Sequence, residues 1–180
     1  MIDANEREVY RAAIQGDRDA FEMIIRQQSR QLFAIAYGIL QNREEAEDAV
    51  QDALVKAWKS RWRIRDPEKF PAWLAMIARH RARDVFRKRK SVPLADNVIE
   101  AVQAETDDTT AVDQQLHSAL ASLPELHRSA LMLRYFEEMD YASIEKLLGL
   151  SNGALRGILG RAVASMRKQL KPAFASLERP

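Results

Sequence analysis

The stretch that most constrains this chain is residues 70–90, FPAWLAMIARHRARDVFRKRK, which has two chemically different halves. At 3.6 residues per helical turn, the first half places four apolar side chains on one face: Phe70, Trp73, Leu74 and Ile77. The second half carries seven Lys or Arg against one acid, and four of these form a stripe roughly opposite that face: Arg79, Arg83, Arg87 and Lys90. Such a helix is suited to binding the phosphate backbone of a nucleic acid. A solvated face is the alternative, but such faces usually mix both signs of charge.

Composition predicts an all-helical protein. The 180 residues include only six Gly and six Pro, and 47% of the chain is hydrophobic, enough to bury a core. The absence of cysteine excludes disulfides, thiolate zinc sites and cysteine nucleophiles, and it fits a cytoplasmic protein. The N-terminus is polar and acidic, and the longest apolar run, 32–40, is too short to span a bilayer. We therefore expect a soluble, cytoplasmic protein.

An abrupt change in composition divides the chain. Residues 91–112 contain five acids and no Lys or Arg, and they show no sustained helical periodicity. They predict a flexible acidic linker between an N-terminal helical bundle, residues 1–90, and a C-terminal helix-turn-helix domain, residues 113–180. The expected fold class is therefore all-α, with two small helical domains.

Capping signals predict where several helices begin. Asp17 is expected to cap the second helix, and Asn42 with Glu45 resembles a capping box at the start of the third. Ser122 with Glu125 predicts another capping box, opening a helix that runs to about residue 138.

Two predicted helices then meet across Leu148-Gly149-Leu150-Ser151 with the spacing of a helix-turn-helix. Gly149 permits the tight turn, and Ser151 caps the second helix, which carries Arg156 and Arg161. An unrelated helical hairpin shares this local pattern, so the spacing alone leaves both interpretations open.

The third helix, about 42–58, has small or apolar residues on one side and an acidic and polar ridge on another. The ridge consists of Asp48, Gln51, Asp52 and Val55. By itself this ridge is more typical of an ordinary exposed face, with acids placed favourably near a helix N-terminus. Residues 60–69 then interrupt the helical pattern and form a basic loop that carries an aromatic side chain.

Taken together, four segments resemble bacterial RNA polymerase sigma factors of the extracytoplasmic-function (ECF) group. Each is weak alone, but they occur in family order over nearly the whole chain, which makes the match specific. The segments are Gly16-Asp17-x-x-Ala20-Phe21; Ala46 to Asp52 with Lys56-Ala57-Trp58; Phe70-x-Ala72-Trp73-Leu74-x-x-Ile77-Ala78-Arg79 with Asp84 and Arg87-Lys-Arg; and Leu123-Pro-Glu-Leu126 through Arg128 and Leu133-Arg134-Tyr135.

The resemblance implies a factor that binds core RNA polymerase, directs it to promoters and helps melt the −10 element. Residues 1–90 would be region 2, with Asp48, Gln51 and Asp52 docking on the β′ clamp helices. Residues 113–180 would be region 4, reading the −35 element and touching the β flap. The implied −10 contacts are Arg61, Arg63, Arg79, His80, Arg83, Arg87 and Lys90. The implied −35 contacts are Ser151, Arg156 and Arg161.

Several positions depart from the usual family pattern. His80 stands where Asn is common, and Glu145 stands where a small Ala is common. The second helix of the helix-turn-helix, called the recognition helix below, also differs from the family pattern. The differences are at Ala154, Gly157, Ile158 and Gly160. Each glycine within a helix costs about 0.5–1 kcal/mol relative to Ala. We therefore expect −35 recognition to be altered, weak or dependent on other contacts, with promoter specificity resting mainly on the N-terminal domain.

Other chemistry fits the sequence less well. Gly149-x-Ser151-x-Gly153 matches a nucleophile-elbow pattern, but that motif follows a strand and here follows a helix. We expect no catalytic residue, metal, cofactor or small-molecule substrate. The expected partners are core RNA polymerase, promoter DNA and, as the resemblance implies, an anti-sigma factor, in this family often membrane-anchored. The alternative is a stand-alone helix-turn-helix transcriptional regulator, which would need neither the acidic ridge nor a second basic DNA helix.

Overall fold

The computed structural model describes the backbone of residues 4–91 and 111–177 and the side chains of residues 5–89 and 114–170. Every regular element in these ranges is helical, so the predicted all-α class is confirmed. The helices are α1 Ala4–Gln15, α2 Arg18–Leu40, α3 Arg43–Ser60, α4 Phe70–Ser91, α5 Ala111–Ala121, α6 Glu125–Leu131, α7 Tyr141–Leu148 and α8 Asn152–Leu177. None of these described helices combines the length and apolar character needed to cross a membrane.

Shorter helical turns complete the described part of the chain. Two 3-10 turns, Arg61–Arg63 and Pro67–Lys69, lie between α3 and α4, and α6 continues as a π-helical turn, Met132–Phe136. The predicted linker falls almost entirely outside the described residues, because α4 ends at Ser91 and α5 begins at Ala111.

The N-terminal half, α1 to α4, is a bundle around α2. Four alanines of α3 are buried, which lets that helix pack closely: Ala46, Ala49, Ala53 and Ala57. The rings of Tyr10 and Phe70 stack at 5.5 Å between centroids and join α1 to α4. Both predicted caps are confirmed. Asp17 Oδ1 accepts from the amide of Ala20, and Asn42 Oδ1 accepts from the amide of Glu45, each at 2.9 Å.

The C-terminal half contains the predicted helix-turn-helix, formed by α7 and α8. Gly149 ends α7 with φ of +67°, a left-handed conformation in which glycine lacks the usual steric penalty. Ser151 Oγ accepts from the amide of Ala154 at 3.3 Å and caps α8. A second apolar cluster joins α5 to α8 and includes Leu120 and Met166.

The capping box predicted at Ser122 and Glu125 is wrong. α6 begins after Pro124, which has no side-chain acceptor. Ser122 Oγ instead donates to the carbonyl of Ala119 at 2.7 Å and accepts from Gln169 Nε2 at 2.6 Å. The side chain of Glu125 therefore does not cap its own helix and points to another part of the fold.

The two halves, predicted as separate domains, share a continuous apolar core. α6 packs on α2, and α7 packs on α4. Gly38 marks a close approach of α2 and α6, because a Cβ added there would lie 2.8 Å from Ser129 Oγ and 3.1 Å from Ser129 Cα. Arg128 links three helices: Nε donates to the carbonyl of Gly38, and Nη1 donates to the carbonyls of Leu120 at 3.1 Å and Ala121 at 3.0 Å.

Candidate polymerase and nucleic-acid interface

The acidic ridge of α3 lies on one exposed side of the bundle. Asp48, Gln51 and Asp52 are all exposed, while the alanines of the same helix face the core. Their spacing of three and four residues places them on one helix face, together with Val55, which is 54% exposed. The ridge therefore combines negative charge with an apolar side chain, a surface suited to a partner that carries basic and apolar groups.

The loop after α3 has one inward and one outward arginine. Arg61 is half-buried: its guanidinium lies 4.1 Å from the ring centroid of Trp58, and Nη1 donates to the carbonyl of Trp58 at 2.7 Å. Gly16, at φ of +103°, passes so close that an added Cβ would lie 2.8 Å from Arg61 Nη2. Arg61 therefore anchors the loop against the turn between α1 and α2.

Outside this anchor, the same loop presents Trp62 and Arg63 to solvent. Trp62 is 67% exposed, and the guanidinium of Arg63 lies 5.3 Å from its ring centroid. An exposed indole beside a cation offers a stacking surface for a base and a charge for a phosphate. We did not single out Trp62 as a site residue from the sequence, although its place among arginines was the available signal.

The basic stripe of α4 divides into an exposed part and a half-buried part. His80 and Arg87 are exposed, whereas Arg79 and Arg83 are half-buried beside the C-terminal half. Burial lowers the pKa of Arg79, the neighbouring Arg83 lowers it further, and Glu125 opposes both effects. The side chain of Lys90, the last member of the predicted stripe, lies outside the described residues.

Arg83 forms an ion pair with Glu125 of α6. Arg83 Nε lies 3.1 Å from Oε1 and 3.0 Å from Oε2 of that carboxylate, and Nη2 lies 3.0 Å from Oε1. The two side chains are 41% and 29% exposed. A residue expected to contact DNA is thus held by a carboxylate from the other half of the chain.

The helix-turn-helix exposes all three side chains predicted for −35 contact: Ser151, Arg156 and Arg161. Arg156 lies near the ring of Tyr141, 5.7 Å from its centroid. Ile158 is buried with 7% exposure, so this unusual residue of the recognition helix serves the core. Ser151 follows α7 rather than a strand and caps α8, so the nucleophile-elbow pattern has no structural counterpart.

Glu145, the other unusual residue of this motif, bridges its two helices. One carboxylate oxygen accepts from Asn152 Nδ2 at 2.5 Å, across the turn from α7 to the first residue of α8. A carboxylate is therefore held at the N-terminal end of the recognition helix, where partial positive charge attracts anions such as phosphates.

We find no cluster of metal-binding side chains among the described residues. Within the described residues, no group of three or more His, Cys, Asp or Glu side chains is arranged to hold a metal.

Comparisons with known proteins divide the chain into the same two parts. The model of the Sigma-70 region 2 family matches residues 24–92, and the model of the Sigma-70 region 4 family matches residues 113–170. The chain belongs to the ECF group of RNA polymerase sigma factors. As a sigma factor, it acts with RNA polymerase in promoter-directed transcription initiation. The stand-alone regulator, our alternative, is not favoured, because both sigma regions are matched.

Individual relatives match the sequence of this sigma factor over most of its length. RNA polymerase sigma factor SigV of Bacillus subtilis is 29% identical over 77% of this chain and 83% of that protein. ECF RNA polymerase sigma factor SigM of Mycobacterium tuberculosis is 29% identical over 92% of this chain and 85% of that protein. Among solved structures, CnrH in complex with the cytosolic domain of CnrY has a TM-score of 0.68 at 24% identity, over 93% of this chain and 97% of that one, and supports the fold.

Sequence reasoning missed the residues that join the two halves of the sigma factor. Glu125 was expected to cap a helix, and Arg128 was only part of a matching segment. Gly38 was the available signal, because a glycine inside an otherwise regular helix often marks a close packing contact.

Proposed function

We propose that residues 1–90 of this sigma factor act as region 2 and residues 113–180 as region 4, with residues 91–112 as the linker between them. Region 2 would bind core polymerase and the −10 element, and region 4 would bind the −35 element and the β flap. Because the binding partners in this activity are a polymerase and promoter DNA, the proposal includes a cytoplasmic location. It also includes the absence of enzymatic activity, a cofactor or a small-molecule substrate.

The first part of the proposal is that Asp48, Gln51 and Asp52 dock on the β′ clamp helices. The supporting observation is the shared exposed face of the three side chains, with Val55 beside them. Opposite charges at such a contact increase the association rate, while the apolar side chain adds buried area. This ridge is the single observation on which we rest the assignment of the N-terminal half to core polymerase.

The second part concerns the −10 element. Flipping a base out of a duplex costs a few kcal/mol, and stacking on an aromatic ring returns about 1–3 kcal/mol. Trp62 and Arg63 offer that combination, and His80 and Arg87 continue the exposed surface onto α4. We retain Arg79, Arg83 and Lys90 as phosphate contacts of the same surface. Arg61, with its half-buried guanidinium, would contribute by holding the loop in place.

The third part concerns region 4 and regulation. Ser151, Arg156 and Arg161 are exposed along the start of α8 and would contact −35 DNA. The solved relatives include a sigma factor RpoE in complex with the anti-sigma factor NepR from Bartonella quintana, with a TM-score of 0.60 and 24% identity. We propose that this chain likewise has an anti-sigma partner.

The docking proposal is tested by reversing the charge of the ridge. We expect Asp48→Arg with Asp52→Arg to lose at least ten-fold in affinity for core polymerase, because two attractive charges become repulsive at a desolvated contact. Circular dichroism should stay helical, since both side chains point to solvent. Binding is measured by fluorescence anisotropy with labelled sigma factor and purified core enzyme.

The matched control is Glu8→Arg with Glu22→Arg, which makes the same change in net charge on α1 and α2. Both acids are exposed and lie on other helices than the ridge. The control should bind core polymerase like the wild type. If the ridge variant also binds normally, the assignment of this face to polymerase is wrong.

A further inference from the structure

The recognition helix, α8, carries few side chains that can read a base. From its first residue to Arg161, three of its side chains can form hydrogen bonds: Asn152, Arg156 and Arg161. Gly153 and Gly160 face open space, since a Cβ added at either would meet nothing within 4 Å. Both arginines can bind phosphates, which carry no sequence information, whereas an amide can match the edge of a base. Asn152 is therefore the neutral candidate for base reading.

The orientation of the Asn152 amide is fixed by α7. Asn152 is exposed at the first residue of α8, and its Nδ2 donates to Oε1 of Glu145 at 2.5 Å. A carboxylate accepts hydrogen bonds and does not donate them, so the amide nitrogen must face Glu145 and Oδ1 must face away. Within the described residues, the side chain of Asn152 makes no other hydrogen bond. One N–H and Oδ1 are thus left for a partner, in a fixed order.

This order of donor and acceptor matches the major-groove edge of adenine. Adenine presents the N7 acceptor and the N6 amino donor there, and an asparagine amide can bind both at once. Guanine presents two acceptors, N7 and O6, so an Oδ1 held in this order would face O6 and be repelled. In a helix-turn-helix, residues at the start of the second helix contact base edges, and Asn152 lies at that point.

We propose that Asn152 reads an adenine of the −35 element and that Glu145 is the positioning residue that fixes its amide. This inference rests on the proposed function, which assigns α8 to −35 DNA. Asn152 binds the base, and Glu145 excludes the flipped amide that would accept guanine. Specificity is a difference of affinities, so a carboxylate that repels phosphates can still improve discrimination between two bases.

The first test identifies the adenine. Holoenzyme reconstituted from core polymerase and the full chain selects DNA from a promoter library with a randomised −35 region, and the bound sequences are counted. We expect the wild type to prefer adenine at one position by about five- to a hundred-fold, the discrimination of a bidentate contact. Asn152→Ala should lose this preference and keep those at other positions. Gln169→Ala, which removes an exposed amide farther along α8, is the matched control and should select like the wild type.

The second test removes a single acceptor from the base. 7-Deazaadenine pairs with thymine but lacks N7, and it replaces adenine at the selected position. Wild-type holoenzyme should bind this promoter about five-fold less tightly or worse, measured by fluorescence anisotropy, because the amide N–H is left without an acceptor. Asn152→Ala should bind both promoters equally. An equal loss in the two proteins would mean that another group contacts N7, and it would overturn the proposal.

Glu145→Gln tests the positioning role. The new amide can donate as well as accept, so the Asn152 amide can turn over and donate to guanine O6. We expect the preference for adenine over guanine to fall about two- to ten-fold, chiefly because guanine is bound better. If the pair merely ties α7 to α8, Glu145→Gln should instead lower Tm and leave the ratio between the two bases unchanged. That result would overturn the role of Glu145.

Arg156→Ala separates failure of this inference from failure of the proposed function. If Arg156→Ala weakens promoter binding while Asn152→Ala leaves every base preference unchanged, α8 contacts −35 DNA but Asn152 does not read it. If the wild type selects no base and neither variant changes binding, the assignment of α8 to −35 DNA is itself wrong. A wild type that selects no adenine in the −35 region overturns the inference in either case.

Discussion

Arg128 offers the sharpest test of how the two halves are held together. Its side chain is buried, with 8% exposure, and its guanidinium donates to the carbonyls of Gly38, Leu120 and Ala121. Burial lowers the pKa of Arg128 and Glu125 opposes this, but a guanidinium stays charged at neutral pH. The carbonyls of Leu120 and Ala121 lie at the C-terminal end of α5, where the partial negative charge of the helix favours a cation.

Arg128→Met keeps much of the aliphatic volume and removes every donor. Hydrogen bonds to charged groups contribute about 1.5–3 kcal/mol each, and a buried acceptor left without a donor costs about 1–3 kcal/mol. Because the carbonyl of Ala121 is only part-buried and can bind water, we count chiefly the other two contacts. At about 1–3 kcal/mol for each acceptor left without a donor, the free energy of unfolding should fall by about 2–6 kcal/mol, or roughly 4–24 °C in Tm for a chain of this size.

Urea and thermal unfolding, followed by circular dichroism at 222 nm, measure this loss. The control is Arg26→Met, which removes an arginine with a 77% exposed side chain and a surface ion pair to Glu22. Arg128→Lys should fall between the two, because an ammonium group cannot span the same carbonyls as the planar guanidinium. If Arg128→Met costs less than about 1 kcal/mol, or no more than the control, Arg128 does not join the two halves as we describe.

Two further predictions concern single side chains of the C-terminal half. Glu145→Ala should increase the affinity for −35 DNA about two- to five-fold, measured by fluorescence anisotropy. The variant removes a carboxylate that is held by Asn152 at the N-terminal end of α8 and that repels phosphates. Unchanged or weaker DNA binding would contradict this prediction. Burial, and then Arg161, lower the pKa of His127 below 6.5, so the unfolded chain binds more protons at mildly acidic pH. The contribution of His127 to the free energy of unfolding is therefore present above pH 6.5 and falls as the pH drops toward its folded pKa. His127→Gln should make the free energy of unfolding, measured by urea titration, less dependent on pH between pH 7.5 and 5. An unchanged pH dependence would refute this prediction.

Much of the local structure follows directly from sequence. Asp17 and Asn42 cap α2 and α3 as expected, because a cap depends only on groups within three residues of one another. Gly149 ends α7 for the same reason, since a left-handed residue is a local requirement. The exposure of Asp48 and Asp52 also follows from helical periodicity, once the alanines of α3 define its buried side.

Local signals were less reliable where distant groups compete for a side chain. Ser122 and Glu125 have the spacing of a capping box, yet each found another partner: Ser122 bonds to α5 and α8, and Glu125 pairs with Arg83. Arg61 stands in a basic loop that suggests solvent, yet it is half-buried over Trp58. Spacing along the chain cannot rank a nearby acceptor against one that folding brings from 42 residues away.

The sequence by itself determined the helical class, the two sigma regions and the faces of individual helices, because periodicity, caps and motif order are properties of neighbouring residues. The relation between the two halves was decided only by the tertiary structure. The close approach at Gly38, the three carbonyls bound by Arg128 and the ion pair between Arg83 and Glu125 all join residues far apart in the chain. Such contacts depend on how complete helices fit against one another, and that fit is not encoded in any single stretch.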